Sequence, residues 1–159
     1  MKIQIKSREA IEKLANERPF PPKTALISIT DCGFAFAALT HKPDFLLQTA
    51  FDDVDRDLLA NRCGQGAADA AQRALEEKYH MLTDAQAAEI ASFYFSVRDK
   101  AEVLICQCEH GQSRSAAVAA AILEYRCRKG IRVFADDRYY PNKTVFQKVL
   151  RALRAQDKA

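Results

Sequence analysis

The stretch ICQCEHGQSRSAAVAAAIL, residues 105 to 123, runs from a short apolar segment through a polar cluster into an alanine-rich segment. The apolar segment AEVLIC, 101 to 106, has the length and composition of a buried strand. The alanine-rich segment predicts a helix from about Ser113 to Lys129 that ends at Gly130. A polar loop between a strand and a helix is typical of an anion-binding site.

The polar cluster has the residue types that a phosphate-binding loop needs. If Cys108 ends the strand and Arg114 lies in the first helical turn, the amides between them point into one hollow at the positive end of the helix dipole. Gly111 permits a tight turn, and the Arg114 guanidinium can hold two oxygens of a tetrahedral oxyanion. The predicted phosphate-binding residues are Glu109, His110, Gly111, Gln112, Ser113 and Arg114.

The same positive field acts on the sulfur of Cys108. Cysteines at helix N-termini and beside cations lose their proton readily, so we expect a thiolate at the opening of a crevice, aimed at the bound phosphorus. Attack by sulfur would form a thiophosphate and divide one displacement into two easier steps. Ser115 follows the arginine directly and is placed to hydrogen-bond the sulfur and assist its departure. This chemistry needs no metal and no cofactor.

Length and composition predict one globular domain, residues 1–159, with 48% hydrophobic and 28% charged residues. The formal net charge of +3 does not indicate a nucleic-acid partner. Five cysteines, an odd number without paired Cys-x-x-Cys motifs, argue against a disulfide framework and a zinc site. The N-terminal segment lacks the apolar core of a signal peptide, and no stretch is long enough for a membrane segment, so we expect a cytoplasmic protein.

Strand and helix patterns alternate along the rest of the chain. Strands are predicted at KIQIK, TALISI (24 to 29) and DFLLQTAF (44 to 51), and helices at REAIEKLA, after a capping box at Thr83, and after Asn142. IRVF is predicted as a brief strand or extended chain. The alternation predicts an α/β fold, a single domain with a mostly parallel central sheet flanked by helices. Two helices are predicted between residues 54 and 80, and with Gly64 and Gly66 as hinges we expect them to cover the crevice.

The loop resembles the signature of the cysteine-dependent protein tyrosine phosphatase superfamily, which is Cys, five residues, Arg, then Ser or Thr. CEHGQSRSAAVAAAIL is most similar to the small dual-specificity type and its bacterial relatives. Looser similarity covers ALISITD, FDDVD, LTDAQAAEIASFY and YPNKTVFQKVL, in the order found in the small bacterial members. The resemblance implies a phosphoric monoester hydrolase, a protein-tyrosine or dual-specificity phosphatase, that forms a cysteinyl-phosphate and acts on a phosphorylated protein or a small phosphate monoester.

The resemblance also implies a general acid, an aspartate in a loop after an upstream strand. Asp53 matches that position best, while Asp52 and Asp55 remain candidates and could instead cap a helix. Asp31 also ends a strand, although a turn-forming role is favoured for it. Gln107 stands where the family usually has a histidine, which predicts weaker activity.

Several alternatives stay open at this point. A pseudophosphatase would bind phosphorylated ligands without turnover, and an arsenate reductase or a rhodanese-like sulfurtransferase ranks well below a phosphatase. Cys106 is expected to be a buried core thiol, and Cys32 a packing residue with a possible redox role. The side chain of His110 is expected to point to solvent, and no role is assigned to His80.

Overall fold

A computed structural model of the chain describes residues 1–55 and 78–157. The helices predicted around Gly64 and Gly66 lie outside the described residues. No described helix is both long enough and apolar enough to cross a membrane.

The described residues form a parallel sheet with helices on both faces, which confirms the predicted fold class. The strands are β1 Lys2–Ser7, β2 Thr24–Thr30, β3 Phe45–Ala50 and β4 Val103–Cys108, in the spatial order β1-β4-β2-β3. The helices are α1 Arg8–Glu17, α2 Asp84–Val97, α3 Arg114–Cys127, α4 Ile131–Phe134 and α5 Lys143–Gln156. All three strand pairings are parallel.

Side-chain alternation along the strands divides the core between the two faces of the sheet. Leu26 and Ile105 pack with Ile11 and Ala15 of α1 on one face. The larger cluster on the other face joins alternate residues of β2 and β4 to α2, α3 and α5. Both central strands are buried on both faces, which explains why TALISI and VLICQC read as nearly continuous apolar runs.

The helices begin where the sequence predicts caps. The Ser7 hydroxyl accepts the amide of Ala10, and the Asn142 side chain accepts the amide of Val145. The capping box of Thr83 is present in full at the start of α2. Each cap satisfies an amide that has no partner inside its helix, which fixes the first turn.

Two predictions about the region after α3 are wrong. The helix ends at Cys127, with Arg128 in the left-handed conformation at φ 57°, rather than at Gly130. IRVF forms the one-turn helix α4 and not a strand, because Val133 packs against Ala116 and Ala120 of α3. A Cβ at Gly130 would lie 2.6 Å from the Ala120 carbonyl oxygen, so the glycine allows this close approach.

Candidate active site

The carboxyl ends of β2, β3 and β4 meet at one edge of the sheet, and the segment after each strand carries polar residues to that edge. Cys108 is the last residue of β4, and Arg114 is the first residue of α3, as the sequence predicts. The loop of residues 109–113 therefore lies between the sheet and the N-terminus of α3.

The turn at Gly111 brings the loop against the junction of β1 and α1. Gly111 has φ +69°, and a Cβ there would lie 2.6 Å from the Ser7 nitrogen and 2.7 Å from the Lys6 carbonyl carbon. Both contacts are with backbone atoms of the paired strand, so only glycine fits. On the other side, the Gln112 carbonyl oxygen accepts the amide of Tyr140 at 2.9 Å.

The loop offers its amide groups rather than using them internally. Among residues 1–55 and 78–157, no hydrogen-bond acceptor is found for the backbone amides of residues 109–113. Ser113 is the N-cap of α3, yet its side chain makes no capping bond. Uncapped amides at the start of a helix, together with the helix dipole, favour an anion at this position.

The sulfur of Cys108 lies 3.1 Å from the Ser115 hydroxyl oxygen, the contact that the sequence predicts. Cys108 is only 2% exposed, so the expectation of a thiol at the opening of a crevice is wrong. The residue packs in the main core cluster because its side chain points to the same face of β4 as that of Cys106. An oxyanion must therefore enter the loop to reach the sulfur.

The Arg114 side chain is turned inward and is 4% exposed. Its Nη1 donates to the Phe51 carbonyl oxygen at 2.7 Å and lies 2.8 Å from Oδ1 of Asp31. Its buried Nε has no hydrogen-bond partner in the described part of the chain and lies 3.9 Å from Asp53 Oδ2. A buried charged donor without an acceptor is costly, which favours an anionic guest at this atom.

Asp53 lies beside the loop, where two side chains hold it. Its Oδ1 accepts the Ser113 hydroxyl at 2.8 Å and the Asn142 amide nitrogen at 2.9 Å. The Asn142 amide also donates to the Val54 carbonyl oxygen at 3.1 Å. These bonds leave Oδ2 as the carboxylate oxygen nearer the Arg114 guanidinium.

The other aspartates near Asp53 have different positions. Asp52 accepts the amide of Cys32 at 3.0 Å and that of His80 at 2.8 Å, so it links two backbone segments. Asp55 accepts the Lys143 amide at 2.9 Å at the start of α5, a helix whose N-cap residue is Asn142.

Asp31 does more than form a turn. Its carbonyl oxygen accepts the amide of Phe34 at 3.2 Å, as a turn requires, while its carboxylate pairs with Arg114. This ion pair places a second carboxylate beside the loop. Sequence reasoning underestimated Asp31 because a strand-end aspartate signals a turn and does not show where its side chain points.

Behind the loop, Gln107 is fully buried. Its Oε1 accepts the Ser28 hydroxyl at 2.6 Å, whereas its Nε2 has no hydrogen-bond partner in the ranges that the structure describes. The amide side chain directly before Cys108 therefore bonds to β2.

Arg8 fixes the outer side of the loop, a role that the sequence analysis missed. Its Nε donates to the Glu109 carboxylate at 2.6 Å, and its Nη2 donates to Thr30 Oγ1 at 3.0 Å and to the Ala35 carbonyl oxygen at 2.8 Å. The Arg8 amide also donates to the Glu109 carbonyl oxygen at 3.0 Å. His110 is exposed, in agreement with its expected outward orientation.

The remaining described cysteines differ in burial. Cys106 is fully buried, as expected, and this burial raises its pKa to about 12. Partial burial, together with the negative charge of Asp52 and Asp31, raises the pKa of Cys32. Cys127 is exposed at the end of α3.

No protein-family model matches the sequence, and no curated protein matches it. Six chains among the solved structures match this one, and two of them are the following. The structure of human DUSP28 is 18% identical with a TM-score of 0.46, and the match covers 99% of this chain and 95% of that chain. The structure of PTPMT1 in complex with PI(5)P is 13% identical with a TM-score of 0.49, and the match covers 99% of this chain and 95% of that chain.

Proposed function

We propose that the chain is a phosphoric monoester hydrolase of the cysteine-dependent protein-tyrosine or dual-specificity type. The observation that carries this proposal is the buried Arg114 guanidinium at the end of the loop that begins at Cys108. Its Nε has no acceptor among the described residues. The backbone amides of residues 109–113 also have no acceptor among the described residues, and they add further donors for the equatorial oxygens of a phosphoryl group.

In the first step, the Cys108 thiolate attacks the phosphorus, and the bond between phosphorus and the leaving oxygen breaks. The P–S bond that forms gives a cysteinyl-phosphate, and the leaving oxygen takes a proton from the Asp53 carboxylic acid. Because Oδ1 already accepts two hydrogen bonds, Oδ2 is the oxygen of Asp53 that would carry the proton.

In the second step, water attacks the phosphorus of the intermediate and the P–S bond breaks. The Asp53 carboxylate takes a proton from the water, and inorganic phosphate leaves. Ser115 lies 3.1 Å from the sulfur, and its hydroxyl would donate a hydrogen bond to the departing thiolate while keeping its proton. The chain thus returns to its starting protonation state without a metal or cofactor.

The test is hydrolysis of an aryl phosphate by the wild type, Cys108→Ser and Cys127→Ser. We expect the wild type and Cys127→Ser to turn over at similar rates, because Cys127 is an exposed cysteine at the far end of α3. Cys108→Ser should lose turnover and retain binding of tungstate, measured as a rise in melting temperature. Equal rates for the wild type and Cys108→Ser would refute the mechanism.

A second candidate function is binding of phosphorylated ligands without turnover. Two observations favour it: Cys108 is 2% exposed, and the Asp31 carboxylate already pairs with Arg114. Tungstate binding by a wild type that hydrolyses no phosphorylated peptide, lipid head group or aryl phosphate would support this function over hydrolysis. Absence of both binding and turnover would refute both candidates.

A further inference from the structure

Cys32, Asp52 and His80 come from three separate segments and place one potential metal ligand each in a single cluster. The Cys32 sulfur, a carboxylate oxygen of Asp52 and an imidazole nitrogen of His80 all lie within 4.8 Å of one another. A thiol, a carboxylate and an imidazole therefore lie together. The sequence does not show this, because the three segments are separated in the chain and meet only in the folded protein.

The backbone holds the three residues in place. Asp52 Oδ1 accepts the Cys32 amide, Oδ2 accepts the His80 amide at 2.8 Å, and the Asp52 amide donates to the His80 carbonyl oxygen at 2.8 Å. A carboxylate oriented by backbone donors keeps further lone pairs for a metal, and such supporting bonds are usual around metal-binding carboxylates.

We propose that Cys32, Asp52 and His80 bind a divalent transition-metal ion of the Zn²⁺ class. Thiolate, imidazole and carboxylate together suit Zn²⁺, whose bonds to sulfur and nitrogen of about 2.3 and 2.0 Å put tetrahedral ligands about 3.3–3.6 Å apart. His80 Nδ1 lies 3.9 Å from Asp52 Oδ2, so this pair of ligand atoms needs to close by less than about an ångström.

The charges and the open side of the cluster agree with this proposal. On binding, the S–H bond of Cys32 breaks and its proton passes to solvent, and the thiolate and carboxylate together balance the two positive charges of the ion. Cys32 and His80 both line a cleft of about 630 Å³, which leaves the fourth coordination position open to water or another ligand.

The site would join the segment after β2 to the segment after β3. Cys32 follows Asp31, and Asp52 precedes Asp53, so a metal ion would fix the backbone beside both carboxylates near Arg114. The proposal rests on the cluster itself and stands whether or not the loop at Cys108 hydrolyses phosphate.

The experiment is a titration of the chelator-treated full chain with Co²⁺, followed by displacement with Zn²⁺. We expect one ion per chain, a thiolate-to-cobalt charge-transfer band and the visible bands of tetrahedral Co²⁺. Cys32→Ser should lose the charge-transfer band, and His80→Ala should weaken binding by at least about tenfold. Circular dichroism verifies that both variants are folded.

Matched controls identify the thiolate. The charge-transfer band should persist in Cys63→Ser, Cys108→Ser and Cys127→Ser, and His41→Ala should bind like the wild type. Failure of the wild type to bind Co²⁺ or Zn²⁺ would overturn the proposal. A band that survives in Cys32→Ser, or that disappears in one of the other cysteine variants instead, would also overturn it.

Discussion

Replacing Gly111 by alanine tests how tightly the loop is held against β1. The glycine has φ +69°, a conformation that costs an L-residue about 1–2 kcal/mol. The new Cβ would also lie 2.6 Å from the Ser7 nitrogen and 2.7 Å from the Lys6 carbonyl carbon, about 1 Å closer than an ordinary contact. Both atoms belong to backbone paired with β4, so relief requires β1 or the loop to shift.

Such overpacking costs about 1–3 kcal/mol, and the total expected loss in unfolding free energy is therefore about 2–5 kcal/mol. Gly33→Ala is the matched control, because Gly33 has φ +82° but no atom within 4 Å of the added Cβ. It should lose only the conformational part, about 1–2 kcal/mol.

Urea unfolding followed by circular dichroism measures both losses against the wild type. The structure predicts that Gly111→Ala is less stable than Gly33→Ala by about 1–3 kcal/mol. Equal destabilisation of the two variants would show that the close approach of the loop to β1 carries no cost, and the reasoning about Gly111 would fail.

Three further predictions concern the burial of two cysteines, the bonds of Arg8 and the side chain of Asn142. Iodoacetamide at about pH 8 should label the exposed Cys127 in the folded protein and spare Cys106, because burial raises the pKa of Cys106 to about 12. Peptide mass spectrometry detects the labelled cysteines, and labelling of Cys106 before unfolding would contradict this prediction. Arg8→Ala should lower the unfolding free energy measured in urea by about 1–2 kcal/mol, since it removes charge-assisted bonds to the loop. An unchanged unfolding free energy would refute the role of Arg8 in holding the loop. Asn142→Ala should lower the unfolding free energy by about 1 kcal/mol and also lower kcat. Asn142→Ser should restore the helix cap but not kcat, because serine has no amide to hold the Asp53 carboxylate. Recovery of kcat in the serine variant would be evidence against this role of the Asn142 amide.

The sequence could predict the parts of this site that are local in the chain. The strand end at Cys108, the helix start at Arg114 and the contact with Ser115 all lie within eight consecutive residues, where strand and helix signals adjoin. Gly111 likewise has a local conformational requirement that glycine meets.

The parts that remained unpredicted depend on distant segments. The bond of Arg8 to Glu109 spans 101 positions of sequence, and that of Asn142 to Asp53 spans 89, so no local pattern encodes either. Burial of Cys108 has the same origin, since it depends on helices packed across the sheet. IRVF was predicted as extended because its β-branched residues favour strands, and the contact of Val133 with α3 overrode that preference.

Asn142 serves two elements with one side chain. Its oxygen accepts the amide of Val145 in the first turn of α5, while its nitrogen donates to Asp53 and Val54. The Asp53 carboxylate beside the loop of residues 109–113 is therefore held in part by the N-cap residue of the C-terminal helix. A graft of the β4 loop and α3 onto another sheet would carry Cys108, Arg114 and the Ser113 hydroxyl, but it would lack the Asn142 amide that also holds Asp53.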